Sequence, residues 1–125
     1  MLMSEFMTAV HHKLPVKVII YNNSALGLIT LEAESIGLVP FKSAIEFPNP
    51  DFAALARACG ASGFTAKKPS ELEGAISQAL RADGPAIVDA VIARDEMPNM
   101  LHVELSQAGH YALAKIKEAL SAVRG

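Results

Sequence analysis

Two adjacent asparagines, Asn22 and Asn23, stand directly after the apolar run Val16-Lys17-Val18-Ile19-Ile20-Tyr21 and before Ser24-Ala25-Leu26-Gly27-Leu28. An uncharged side-chain carbonyl of this kind can ligate a hard cation such as Mg²⁺ through oxygen, while neighbouring backbone groups receive an anionic phosphate. The same pair also suits a plain turn, because asparagine tolerates left-handed dihedrals and bonds its own backbone. Residue types alone leave both readings open.

The other chemistry-bearing residues are weaker. His11 and His12 are adjacent on a predicted helix and so face apart, and His102 and His110 lack partners at ligand spacing, so none points to a metal site. Glu32 and Glu34, two apart on a predicted helix, diverge toward solvent rather than forming an acid/base pair. Cys59 is the single cysteine, which excludes an internal disulfide and suits a small core residue in a reducing compartment.

The elements that must position the asparagine pair follow from periodicity and punctuation. Leu2 to His12 reads as a helix with Leu2, Phe6, Met7 and Val10 on one side, ended by Leu14-Pro15. Val16 to Tyr21 is a β-branched run that reads as a buried strand, so Asn22-Asn23 falls at its carboxyl end, where open α/β sheets present ligand loops. A helix is predicted from near Ala25 to Glu34, and a loop over 37–50 with three prolines. Asp51 caps a helix Phe52 to Ala58 that Gly60 ends. Gly63 to Ala66 is a short strand. Ser70 and Glu73 form a capping box for a helix ending near Arg81, with Leu72, Ile76 and Leu80 toward a core. Ala86 to Ile92 is a second buried strand, Asp95-Glu96-Met97-Pro98 a polar loop, and Glu104 to Val123 an amphipathic helix with Leu105, Ala108, Ala112, Ile116, Ala119, Leu120 and Val123 on its apolar face.

This order predicts an α/β fold: a partial parallel sheet with helices on both faces, in one incomplete domain over residues 1–125. Half of the 125 residues are hydrophobic and the formal net charge is −2 without basic clusters, which argues against nucleic acid as a partner. No run reaches the ~18 apolar residues of a membrane span, and the amino terminus lacks a signal peptide's pattern, so a cytoplasmic protein without membrane contact is expected.

The run from Met1 to Ile29 resembles the second half of the thiamine-diphosphate motif, which opens with Gly-Asp-Gly and closes with Asn-Asn. It is similar to pyruvate oxidases, quinone-dependent pyruvate dehydrogenases and the wider acetolactate synthase superfamily. The likeness continues through Asp51-Phe52-Ala53, Ala58-Cys59-Gly60, Ser70-Glu71-Leu72 and Asp83-Gly84-Pro85-Ala86-Ile87-Val88-Asp89. The resemblance implies a carboxyl-terminal cofactor domain of an enzyme that decarboxylates a 2-oxo acid such as pyruvate. Asn23, through its side chain, and the Ala25 carbonyl would hold Mg²⁺. Asn22, Ser24 and Leu26 would line the diphosphate end of thiamine diphosphate, and Gly27 and Leu28 would lie near the thiazolium ring.

The departures carry expectations of their own. Gly-Asp-Gly does not precede Asn-Asn in this sequence, which reads as a truncation just after that motif, and the activating glutamate and any FAD site belong to other domains of the family. Ile29 stands near where simple 2-oxo acid decarboxylases carry a glutamate, and Leu28 stands where some pyruvate oxidases have an aromatic residue. The chain alone is therefore expected to turn over little pyruvate and to self-associate as a homo-oligomer through uncovered apolar surface. Acetolactate synthase-type carboligation, or a non-catalytic binding or assembly module, are the alternatives.

Overall fold

A computed structural model describes residues 3–94 and 105–124. Leu2, the Asp95–Pro98 loop and His102 lie outside the described residues. In chain order the elements are α1 (Met3–His11), β1 (Lys17–Asn22), α2 (Gly27–Ser35), α3 (Lys42–Ile45), α4 (Phe52–Ala58), β2 (Ser62–Ala66), α5 (Pro69–Arg81), β3 (Ala86–Val91) and α6 (Leu105–Arg124). The described residues of Met1–Asn23 and Pro48–Ala93 form one compact unit, and those of Ser24–Phe47 and Arg94–Gly125 a second.

The first unit is built on a three-stranded sheet of order β1-β3-β2 with both pairings parallel. β3 is central because its sequence leaves it no choice: Ala86-Ile87-Val88-Asp89-Ala90 is buried throughout, so neither flank nor face of the strand tolerates water. Ile19 of β1 and Phe64 of β2 both register with Val88. On that face Ala66, Ala86 and Val88 pack with Ala75 and Ala79 of α5, bordered by Leu72 and Ile76. Side chains alternate along a strand, so Gly63 of β2 turns to the opposite face, where α4 lies close enough that a Cβ on Gly63 would sit 2.0 Å from the Ala53 carbonyl oxygen. Helices cover both faces, as the sequence predicts, and the small side chains Ala53, Ala56, Ala75 and Ala79 are what let them approach.

Asp51 begins α4 as expected, its Oδ1 accepting the Ala54 N–H at 2.7 Å. Replacing Asp51 with alanine should cost about 1 kcal/mol, read as a lower urea midpoint. An unchanged midpoint would mean the cap is idle.

Several expectations are corrected. α5 is capped two residues earlier than the Ser70/Glu73 pattern suggested: Lys68 is the cap and Pro69 occupies the first turn, and the Glu71 carboxylate accepts the backbone N–H groups of Lys67 and Lys68 at 2.8 and 3.2 Å. Its buried stripe is Ala75 and Ala79, and Leu80 is 65% exposed. In α1 the buried residue is Ala9, and Met7 is exposed. His11 and His12 do not diverge, because His12 has left the helix and the two rings meet edge to face at 4.9 Å.

In the second unit, α2 starts at Gly27 rather than near Ala25, because Ala25 is drawn into an antiparallel bridge with Glu46. That bridge organises the predicted 37–50 loop, which contains α3 and buries Ile45. α6 turns a different side inward than its apolar periodicity suggested: Ala114 is buried while Ile116, Leu120 and Val123 are exposed. Charge explains the choice. Lys115 Nζ reaches Glu34 Oε1 of α2 at 2.7 Å and Lys117 Nζ donates to the Gly37 carbonyl at 3.1 Å, so polar anchors fix the face.

Candidate functional site

In the first unit Asn22 is the last residue of β1 and Asn23 follows it at the strand's carboxyl end, the location the apolar run predicts. Asn22 is buried, and Asn23 is half-buried. The Asn22 amide is engaged at both ends: its Nδ2 donates to Asp89 Oδ1 at 3.0 Å, and its Oδ1 accepts from Asn49 Nδ2 at 2.8 Å. Asp89 Oδ2 accepts the Phe52 N–H at 3.3 Å. The Asn22 carbonyl accepts the Ile92 N–H at 3.1 Å, extending the parallel ladder to the strand's last residue.

In the second unit Ser24 adopts φ 53°, a left-handed conformation that a non-glycine residue adopts at some cost. The Ser24 carbonyl accepts the Phe47 N–H at 3.2 Å and the Leu26 N–H donates to the Ile45 carbonyl at 2.9 Å. These two bonds flank the Ala25–Glu46 pair, so the Ala25 carbonyl points away from the segment Ile45–Phe47, as in the wide pair of any antiparallel ladder. α2 then begins with Leu26 at its cap and no side-chain capping bond. The N–H groups of Gly27, Leu28 and Ile29 in its first turn have no acceptor inside the helix, and the helix dipole adds partial positive charge there. Gly27 is half-buried, while Leu28 and Ile29 are exposed.

Among the described residues no group of three or more His, Cys, Asp or Glu side chains is placed to hold a metal ion. The oxygens expected as ligands, the Asn23 amide in the first unit and the Ala25 carbonyl in the second, are both neutral. That donor set suits Mg²⁺, which keeps oxygen ligands and takes few from protein when phosphates are present.

The second unit also holds a cavity of about 180 Å³ whose lining includes Thr30, Glu34, Lys42, Tyr111, Lys115 and Glu118. Its charges are matched. Glu34 is 4% exposed and paired with Lys115, while Lys42 pairs with Glu118 at 2.8 Å and Arg94 with Glu46 at 2.6 Å. The hydrogen bond to Glu34 raises the Lys115 pKa, and the hydrogen bond to Glu118 raises that of Lys42. The Lys42 contact in turn holds Glu118 below the usual carboxylate range. Glu34 thus leaves the pair Glu32/Glu34 as a buried partner, not a solvated residue.

Sequence reasoning did not single out Asp89 and Asn49. The signal was present: a lone aspartate inside Ala86-Ile87-Val88-Asp89-Ala90-Val91-Ile92 must find donors if the strand is buried.

Comparison with known proteins places these residues in context. Residues 1–90 match the family profile described as thiamine pyrophosphate enzyme, C-terminal TPP binding domain. The chain is 39% identical over 95 residues to the putative thiamine pyrophosphate-containing protein YdaP of Bacillus subtilis, covering 76% of this chain and 16% of that protein. It is 32% identical over 92 residues to the mitochondrial acetolactate synthase catalytic subunit of Saccharomyces cerevisiae, covering 74% of this chain and 13% of that one. The crystal structure of benzoylformate decarboxylase from Polynucleobacter necessarius aligns with a TM-score of 0.61 and 26% identity over 74% of this chain and 17% of its own. The chain thus spans less than a fifth of the length of each. No described helix is long and apolar enough to cross a membrane.

Proposed function

From the premise that the chain belongs to the thiamine pyrophosphate enzymes, as their C-terminal TPP-binding domain, we propose that it supplies the magnesium-diphosphate contacts of a thiamine diphosphate site. The intact enzyme would act on a 2-oxo acid such as pyruvate by oxidative decarboxylation. The observation that carries the reading is the asparagine pair at the carboxyl end of a parallel strand.

When bound, thiamine diphosphate supplies the electron sink that lets a 2-oxo acid lose its carboxylate. The residues of this chain position it. Asn23 offers its side-chain oxygen and Ala25 its carbonyl to Mg²⁺, both neutral, so that the cation keeps its attraction for the diphosphate. The N–H groups at the start of α2 favour the same anion. Ser24 and Leu26 would line the diphosphate end, with Asn22, whose amide and carbonyl are already engaged, behind them, and Gly27 with the exposed Leu28 would give the thiazolium ring an apolar neighbour that excludes water.

The test is a titration of the chain with thiamine diphosphate and Mg²⁺, followed by backbone amide resonances. Amides over residues 22–28 should move only when both are present, and Asn23→Ala should weaken the apparent affinity roughly tenfold to a hundredfold, the scale of a lost metal-site contact. Amides that stay still at millimolar cofactor, or an Asn23→Ala chain that binds as well as the parent, would overturn the reading.

Acetolactate synthase-type carboligation is the second reading, favoured by the likeness to the yeast acetolactate synthase subunit. Product analysis of the intact enzyme separates them: acetate or acetyl phosphate for the first, acetolactate for the second.

A further inference from the structure

Asp89 is a carboxylate 3% exposed in the central strand of a sheet, where an isolated charge would be costly unless its oxygens are claimed by donors. Both oxygens are claimed. Oδ1 takes the Asn22 Nδ2–H at 3.0 Å and Oδ2 takes the Phe52 N–H at 3.3 Å. The far side of the Asn22 amide accepts from Asn49 Nδ2 at 2.8 Å. A relay therefore runs from Asn49 through Asn22 to Asp89, all within the first unit, and it has a direction. The group at 89 accepts at both oxygens, and the Asn22 amide bridges by accepting from Asn49 at its oxygen and donating to Asp89 from its nitrogen.

The relay passes through Asn22, the residue whose peptide bond leads into Asn23. With its amide held at both ends and its carbonyl held by the Ile92 N–H, Asn22 has little rotational freedom left, and the Asn22–Asn23 peptide inherits that constraint. We infer that Asp89 and Asn49 are positioning residues that fix the Asn22-Asn23 turn by orienting the Asn22 amide. Their effect on cofactor affinity rests on the role proposed for Asn23. Neither touches the cofactor; they act on the ligating residue through its neighbour, as hydrogen-bonded outer partners of metal ligands commonly do.

The directionality gives a sharp test. Asp89→Asn presents an amide NH₂ to a donor, so the relay breaks in its present direction and reforms only if the Asn22 and Asn49 amides both reverse. The reciprocal pair Asn22→Asp with Asp89→Asn restores every bond with the polarity reversed: the amide at 89 donates to the carboxylate at 22 and accepts from Phe52 N–H, while Asn49 still donates. Asn49→Ala, a loop substitution, is the gentler variant if Asp89→Asn folds poorly. The readouts are backbone amide shifts and hydrogen exchange at Asn22 and Asn23 without cofactor, and the affinity for thiamine diphosphate with Mg²⁺.

Both single changes should shift those amides, speed their exchange roughly tenfold or more, and weaken cofactor binding roughly tenfold. The reciprocal pair should return the shifts and exchange rates of those amides most of the way to the parent's. Unmoved amides in both Asp89→Asn and Asn49→Ala would overturn the inference, as would a disturbance that the reciprocal pair does not reverse. If the amides respond as expected but the parent chain takes up no thiamine diphosphate, the positioning role stands and the cofactor reading falls.

Discussion

Replacing Gly63 with alanine is expected to destabilise the first unit by roughly 3 kcal/mol or more, enough to leave much of the chain unfolded at ambient temperature. The new Cβ would fall 2.0 Å from the Ala53 oxygen, 2.7 Å from its carbonyl carbon and 2.9 Å from its Cα. These are backbone atoms of α4, so no rotamer change relieves the clash, and the helix itself must move off the sheet. Ala53 and Ala56 are fully buried against that face, so any retreat also opens a gap behind both. Gly74→Ala is the internal control. Nothing lies within 4 Å of that position, which is inside α5, so the added methyl should stabilise by about 0.5–1 kcal/mol through helix propensity alone. Urea unfolding of the two variants should therefore move in opposite directions. Similar midpoints for both would mean that α4 does not pack on β2 as described.

Lys115→Met should be nearly as damaging, at about 3 kcal/mol, the lower end for removing one member of a buried pair because the Lys115 side chain is 47% exposed. The cost arises at Glu34, whose carboxylate is left buried without its 2.7 Å partner. The double change Glu34→Gln with Lys115→Met should regain most of the loss, since no charge then remains to be buried. Circular dichroism during urea titration reads both. A single change as mild as the double would show that Glu34 finds water or another donor.

The same cluster gives the second unit a pH profile. The Lys115 pKa is raised by its bond to Glu34, so its contribution is fully present below the ordinary lysine range and is lost as pH climbs through the raised value. Glu118 is held low by Lys42, so its contribution is present above the ordinary glutamate range and is lost as acid protonates it through the lowered value. The Lys115 and Glu118 side chains are 47% and 30% exposed, so salt screens them in part and the acid limb should be shallow.

These charges also explain where the sequence could and could not be read. The spans of β1 and β3 were legible to within a residue because a β-branched or continuous apolar run has few other uses, but β1 lies at the edge of the described sheet with Ile19 and Tyr21 exposed and is not the buried strand expected. The location of Asn22-Asn23 followed from β1 alone. The burial of Glu34 and the inward face of α6 were not legible, because hydrophobic periodicity weighs Ile116 and Leu120 above Lys115, whereas an ion pair that needs Glu34 covered reverses that ranking. α5 hid its cap for a different reason. Ser70 and Glu73 fit a familiar spacing, but Pro69 already fixes the first turn and brings Glu71 under the N–H groups of Lys67 and Lys68. The relay through Asp89 is a tertiary fact: Asn22, Asn49 and Asp89 are far apart in sequence and meet only when β1 and β3 align.

Among the described residues the second unit buries little more than Ile45, Ala114 and the Glu34 side chain, while Leu28, Ile36, Phe41 and Val123 stay wet. Heat capacity on melting tracks newly hydrated apolar area, and here most of that area is hydrated beforehand. Taken by itself, this unit should therefore melt over a broad temperature span with a small enthalpy, and its stability curve should be nearly flat where the alanine-packed sheet's is domed.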